Sequence, residues 1–222
     1  MQLKENRKIN ELSLIFAGNF NPVIIQPFWL VNKGLIREVE GENAKVEIIH
    51  DEIVKFNLDW LSIKVTKSRL ELRSSQEQYF EPLKDIAQGI IKILSETPVY
   101  SFGINHIRHY TLDSDKQYYD FGDKIAPLKN WTELAPNPKL LTSEFLLEKN
   151  ETHAIRLRIQ PSDFLRDTKN SIMSNINDHY PVFEEKPKTN NLFLLNTLEQ
   201  NWFLSFLFAN KTEITIQNII NQ

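Results

Sequence analysis

Residues 46–73 read VEIIHDEIVKFNLDWLSIKVTKSRLELR, and the period of this stretch decides the fold. Phe56, Leu58 and Trp60 alternate with Lys55, Asn57 and Asp59. Ile63 and Val65 alternate with Ser62, Lys64 and Thr66, and Leu70 and Leu72 alternate with Arg69, Glu71 and Arg73. A period of two places apolar side chains on one face of a strand and polar ones on the other. That is the pattern of antiparallel sheet with one buried and one wet face. The stretch therefore predicts a meander of strands.

Just downstream the period changes. Leu83, Ile86, Ala87, Ile90, Ile91 and Leu94 follow helical spacing and predict an amphipathic helix. Pro82 suits its first turn and Thr97-Pro98 ends it, while Gly89 on the polar flank weakens it slightly. Upstream, Leu12, Leu14 and Phe16 predict a strand over Asn10 to Gly18. Pro27 opens a short helix, Phe28 to Lys33, that Gly34 stops, and Glu40 to Asn43 form a polar turn. A strand is expected over Val99 to Leu112.

Asp113 to Pro138 breaks the pattern with Gly122, Pro127, Pro136 and Pro138. It reads as a long connection that Tyr118, Tyr119, Phe121 and Trp131 pin to the surface, and as the boundary between two halves. Beyond it, Leu140 to Leu147 fits either type of element. Ile155, Leu157 and Ile159 alternate with Arg156, Arg158 and Gln160, a strand that Pro161 ends. Ile172, Ser174, Ile176 and Asp178 suggest another, stopped by Tyr180-Pro181. Lys186 to Asn190 reads as a loop. Leu192 to Ala209 reads as a second long apolar helix capped by Asn210, with Thr212 to Gln222 a short final strand or helix.

Runs of strands followed by a helix argue α+β rather than doubly wound α/β. The expected architecture is an antiparallel sheet with two long helices packed on one face. Residues 1–112 and 139–222 form its halves, joined through 113–138 into one compact unit. A strands-then-helix unit used twice suggests a loose two-fold internal duplication.

Composition bounds the chemistry. The chain has 222 residues, enough to bury a sizeable core, and 14 Phe and 4 Trp to fill it. It has no cysteine, which excludes disulfides, thiolate nucleophiles and cysteine-ligated metals. The N-terminal stretch MQLKENRKINE lacks the apolar run of a secretory signal, and no apolar run reaches membrane-spanning length, so a cytoplasmic location is expected. A formal net charge of −3 gives no global pull toward nucleic acid or an anionic membrane.

No GxGxxG, GxxxxGK[ST], HExxH or GxSxG motif occurs, and only 6 glycines are available for any phosphate loop. No catalytic residue, cofactor or metal site is expected. His50-Asp51-Glu52 reads as a turn, and His153 and Asp178-His179 are the only obvious further suppliers of metal ligands. The densest polar segment is Phe102 to Tyr110, where His106, Arg108 and Tyr110 share one strand face. Arg offers a planar fork and His a tunable proton, so these residues are candidates for an anion site. Arg156 and Arg158 would extend that site into a basic stripe if the halves pair. The plain alternative is an ordinary solvent-facing sheet surface. The C-terminal helix carries Phe193, Trp202, Phe203, Phe206 and Phe208 on more than one face. One apolar face is covered by the core and the second needs another cover, so Trp202, Phe203 and Phe206 are candidate interface residues.

Gly103-Ile104-Asn105-His106-Ile107-Arg108 follows a long amphipathic helix, and a hydrophobic helix lies in the later half. This arrangement resembles a sporadically distributed, uncharacterised bacterial family of similar length. There the strand reads glycine, two residues, an aromatic, isoleucine and a basic residue. His106 departs from the aromatic. The resemblance implies a fold and no catalytic residue, because no activity is established for that family. Families of this kind travel with mobile or defence-type gene clusters, which suggests a protein-binding role. Two functions are therefore expected in competition. One is a non-enzymatic module that binds a protein partner or itself. The other is a binder of an anionic ligand or nucleic acid, built on His106, Arg108, Tyr110, Arg156 and Arg158.

Overall fold

Nine strands form one antiparallel sheet in a computed structural model that describes residues 7–136, 138–150, 153–165, 170–181 and 191–221. They are β1 (Arg7–Gly18), β2 (Lys45–Ile49), β3 (Ile53–Asn57), β4 (Ser62–Thr66), β5 (Arg69–Ser74), β6 (Val99–Thr111), β7 (Ser143–Asn150), β8 (His153–Pro161) and β9 (Ser171–Pro181). Their spatial order is β2-β3-β4-β5-β1-β6-β9-β8-β7. Five α-helices occur among the described residues: α1 (Pro27–Asn32), α2 (Glu38–Glu42), α3 (Phe80–Ile93), α4 (Asp115–Ile125) and α5 (Asn191–Asn221). The expected meander is present as β2 to β5, each strand hydrogen-bonded to the next.

The alternation read from sequence becomes a continuous apolar surface because the registers align. One row of partners crosses the whole sheet: Val46, Phe56, Ile63, Leu72, Leu14, Ile104, Asp178, Ile155 and Leu147. Asp178 is its one polar member. From Phe56 to Ile104 the row is fully buried. Helix α3 packs there, its buried stripe being Phe80, Leu83, Ile86, Ala87, Ile90 and Ile91. Gly89 has a packing role, since a Cβ there would collide with the Leu35 side chain. Gly34 ends the turn after α1 at φ 68, a backbone region that glycine occupies without steric cost.

Two expectations need correction. The segment 113–138 is not a bare connection. Its first half is α4, capped by Ser114, whose hydroxyl accepts from the Gln117 amide at 3.2 Å. Phe121 anchors α4 in a second core with Tyr110, Ile159, Ile172, Ile216 and Ile220, while Tyr119 and Trp131 stay exposed. Nor does the segment divide the sheet, since β6 pairs with β1 on one side and β9 on the other.

The second correction concerns the C-terminus. Asn210 does not cap a helix, and no separate element begins at Thr212. Helix α5 runs unbroken for 31 residues. Its buried side continues through Thr212, Glu213, Ile216, Gln217 and Ile220, and that second core holds the last three turns in place. Asn210 is instead occupied as a hydrogen-bond acceptor for Arg108.

The element order runs β1, the short helices α1 and α2, four strands and α3, and then β6, α4, three strands and α5; the number of strands and of short helices differs between the two runs, and a residue-level duplication is not shown. Lys186 to Asn190, expected as a loop, lies outside the described residues.

Candidate functional site

The sheet face that α3 and α5 cover becomes polar toward the N-terminal end of β1. There β6 presents His106, Arg108 and Tyr110, all buried, and α5 meets them with polar side chains of its own. His106 Nε2 lies 3.0 Å from the Ser205 hydroxyl, and its ring meets Phe206 edge-on at 4.7 Å. Burial, followed by the charge of Arg108, pushes the His106 imidazole down to about 3, so it is neutral near pH 7. The Tyr110 hydroxyl is pushed up to about 12, first by burial and then by the Glu213 carboxylate.

Arg108 spends its donors inside the protein. Nη1 donates to the Ala209 carbonyl at 2.7 Å and lies 2.8 Å from Glu213 Oε2. Nη2 donates to Asn210 Oδ1 at 2.8 Å, and Nε to Asn10 Oδ1 at 3.3 Å. Arg7 completes the cluster, reaching Glu213 at 3.1 Å and Glu77 at 2.7 Å. A ligand anion needs free guanidinium donors, and these are committed to α5 and to Asn10 of β1. The cluster fastens α5 to the sheet.

Arg156 and Arg158 lie on the opposite, uncovered face of the sheet. Both are exposed, and Arg158 pairs with Glu144 at 3.3 Å. The structure therefore brings His106, Arg108 and Tyr110 together but does not join them to Arg156 and Arg158. One strand alternates faces every residue, so partners on β6 and β8 share a site only if their registers put them on the same side. Arg156 instead shares a row with Arg73, Ser13, Asn105 and Asn177. Within this polar face, Ser13 Oγ, Asn175 Oδ1 and Asn177 Oδ1 are buried without a hydrogen-bond partner among the described residues.

Asp178, expected both as a member of an alternating strand and as a supplier of metal ligands, has a specific setting in the structure. Its Oδ1 lies 2.6 Å from His153 Nε2, and its Oδ2 accepts from the Tyr180 hydroxyl at 3.0 Å. Tyr180 is sandwiched between Phe102 at 4.8 Å and His153 at 4.5 Å. The isoleucines at 172 and 176 already placed Asp178 on the buried face, which is the signal that could have found it. His50 pairs with Asp51 at 2.6 Å in an exposed turn. Among the described residues, no group of three His, Asp or Glu could hold a metal ion.

The expected interface on α5 splits. Trp202 is 5% exposed; its indole nitrogen donates to Glu81 at 2.5 Å and its ring lies beneath the Lys84 ammonium. Phe206 packs against Phe80 and His106. Both belong to the core. Phe203, at 67% exposed, points outward with Leu204 and Leu207, and the same side carries Leu192, Phe193 and Ile214. Of the three expected interface residues, Phe203 alone lies on that outer side. No helix among the described residues is long and apolar enough to cross a membrane. No protein-family model matches this chain, and no curated protein matches it.

Proposed function

We propose that this chain is a non-enzymatic interaction module that self-associates through the outer face of α5. One observation carries the reading: Leu192, Phe193, Phe203, Leu204, Leu207 and Ile214 are all exposed on that helix. At roughly 100 Å² of outward apolar surface each, the six present on the order of 600 Å². That is the upper end of what a monomer leaves uncovered, and it approaches the roughly 800 Å² per partner of a stable pair.

A second copy is the occupant that the spacing favours. Phe193, Gln200, Leu207 and Ile214 recur every seven residues, the seam of a helix pair. In an antiparallel pair with its two-fold axis between Phe203 and Leu204, Phe193 meets the second copy's Ile214, and Phe203 meets its Leu204. Apolar groups then face apolar groups at the centre and the ends of the seam, with Gln200 against the second copy's Leu207 between them, and the contact is isologous. Size-exclusion chromatography with light scattering tests this. The expected result is twice the mass of one chain, reduced to a single chain by Leu204→Glu with Leu207→Glu at unchanged circular dichroism. A wild-type protein that stays a single chain throughout the micromolar range overturns it.

A second reading, binding of an anionic ligand, is supported on the uncovered sheet face. Arg156 makes no ion pair with any described residue, and its charge helps hold the His179 imidazole below its usual value, after burial. Titration with inorganic phosphate and with a short single-stranded DNA checks it. Arg156→Ala should abolish saturable binding, and equal binding by both proteins would end this reading.

A further inference from the structure

The underside of α4 does not close on the sheet. A cavity of about 260 Å³ lies between Tyr118, Phe121 and Gly122 of α4 and Ile159 and Ile172 at the ends of β8 and β9. Its floor is firm, because Phe121, Ile159 and Ile172 are buried members of the second core. Its roof is held too, since Gln117 donates to the Ile220 carbonyl and Lys124 donates to the Ile219 carbonyl of α5. Gly122 leaves part of the helix wall bare, as a Cβ there meets nothing within 4 Å. The lining is mostly aliphatic and aromatic, and among the described residues Lys139 carries the only formal charge along it.

We propose that this cavity binds a small organic acid with an apolar body, a single-ring aryl carboxylate or a medium-chain fatty acid. Size sets the body. An apolar cavity of about 150 Å³ takes one benzene ring, and sites for drug-sized ligands start near 300 Å³. The space here therefore fits one ring with a short arm, or a chain of about eight carbons. Charge sets the head. Burying the apolar portion drives entry, and the Lys139 ammonium at the lining is the complementary partner for a carboxylate. Gln160 also lines the cavity, and its amide can donate a hydrogen bond. A phosphate ester of the same body would leave extra charge facing apolar walls, which is costly.

Isothermal titration with octanoate and with uncharged 1-octanol tests the assignment. Both should bind saturably to the wild-type protein, octanoate more tightly. Lys139→Gln should weaken octanoate about fivefold, the scale of an exposed ion pair, and leave octanol unchanged. Gly122→Leu should abolish binding of both while keeping or raising Tm, because leucine fills the bare wall and favours the helix. Lys139 is exposed, so its substitution carries the test even if Gly122→Leu does not fold. Absence of saturable octanoate binding overturns the proposal. So does equal weakening of both probes by Lys139→Gln, or wild-type binding by a folded Gly122→Leu. The Leu204→Glu, Leu207→Glu chain should bind octanoate as wild type does, which separates this site from the α5 face.

Discussion

The Arg108 guanidinium lies 2.8 Å from the Glu213 carboxylate, between the central strand β6 and the last turns of α5, with both side chains almost wholly out of solvent. Arg7 reaches the same carboxylate oxygen at 3.1 Å. Glu213 therefore bridges two buried cations, and Glu77 is a second partner for Arg7 alone. Such an arrangement is conditional: complete it is tolerable, and incomplete it leaves a charge without solvent or partner.

Removal of the acid should cost more than removal of one cation. Glu213→Gln leaves Arg7 with Glu77 but removes the carboxylate beside the buried Arg108, and a loss of about 3–5 kcal/mol is expected. Arg108→Met leaves the Arg7–Glu213 pair intact and should cost less. Urea denaturation of both variants measures the order, and a larger loss for Arg108→Met would show that Glu213 is not the shared anchor.

His106 sets a pH dependence. An unfolded histidine titrates near 6.5, whereas burial and the nearby Arg108 charge hold this one at about 3 in the folded chain. Between those values the unfolded chain takes up a proton that the folded chain does not. Stability is then fully present above about pH 6.5 and falls as the pH drops toward 3. The expected slope is about 1.4 kcal/mol per pH unit from this residue. Denaturation midpoints from pH 7 to 5 should fall more steeply for the wild type than for His106→Phe, which keeps a ring against Phe206. Equal slopes would mean that the imidazole is not neutral in the folded protein.

Asn210 tests the continuity of α5. A proline in a helix interior removes one hydrogen bond and clashes with the preceding turn, at about 3 kcal/mol or more. Asn210→Pro should therefore cost at least that much, and it should loosen the second core around Tyr110, Ile216 and Ile220. Amide exchange reads the second effect directly, as lost protection at the C-terminal end of β6. A near-neutral Asn210→Pro would mean that two separate elements meet at this position.

Much of this architecture is legible in the order of residues. Period two over residues 46–73 implied strands with one buried face, and β3 to β5 bury Val54, Phe56, Ile63, Val65, Leu70 and Leu72 as that alternation requires. Period 3.6 over residues 83–94 implied α3 and its buried stripe. These readings rest on local geometry, which a few neighbouring residues determine. The same logic failed at α4, where a serine cap and one buried phenylalanine outweigh a composition rich in turn-forming residues.

The candidate sites depended on contacts that no local pattern carries. Alternation said that His106, Arg108 and Tyr110 share a face, but not that this is the face α5 covers. Whether a polar residue on a strand meets water or a buried partner depends on what packs above it. Here those partners are Ser205, Asn210 and Glu213, about a hundred positions away in the chain. The unbroken run of α5 has the same origin, since Asn210 reads as a helix stop until Arg108 occupies its amide oxygen. Sequence determined β3 to β5 and α3 with their buried faces, and the absence of thiol chemistry. Tertiary structure alone decided which polar groups are bound internally and which apolar face of α5 is left open, because burial is a property of pairs of elements rather than of either one.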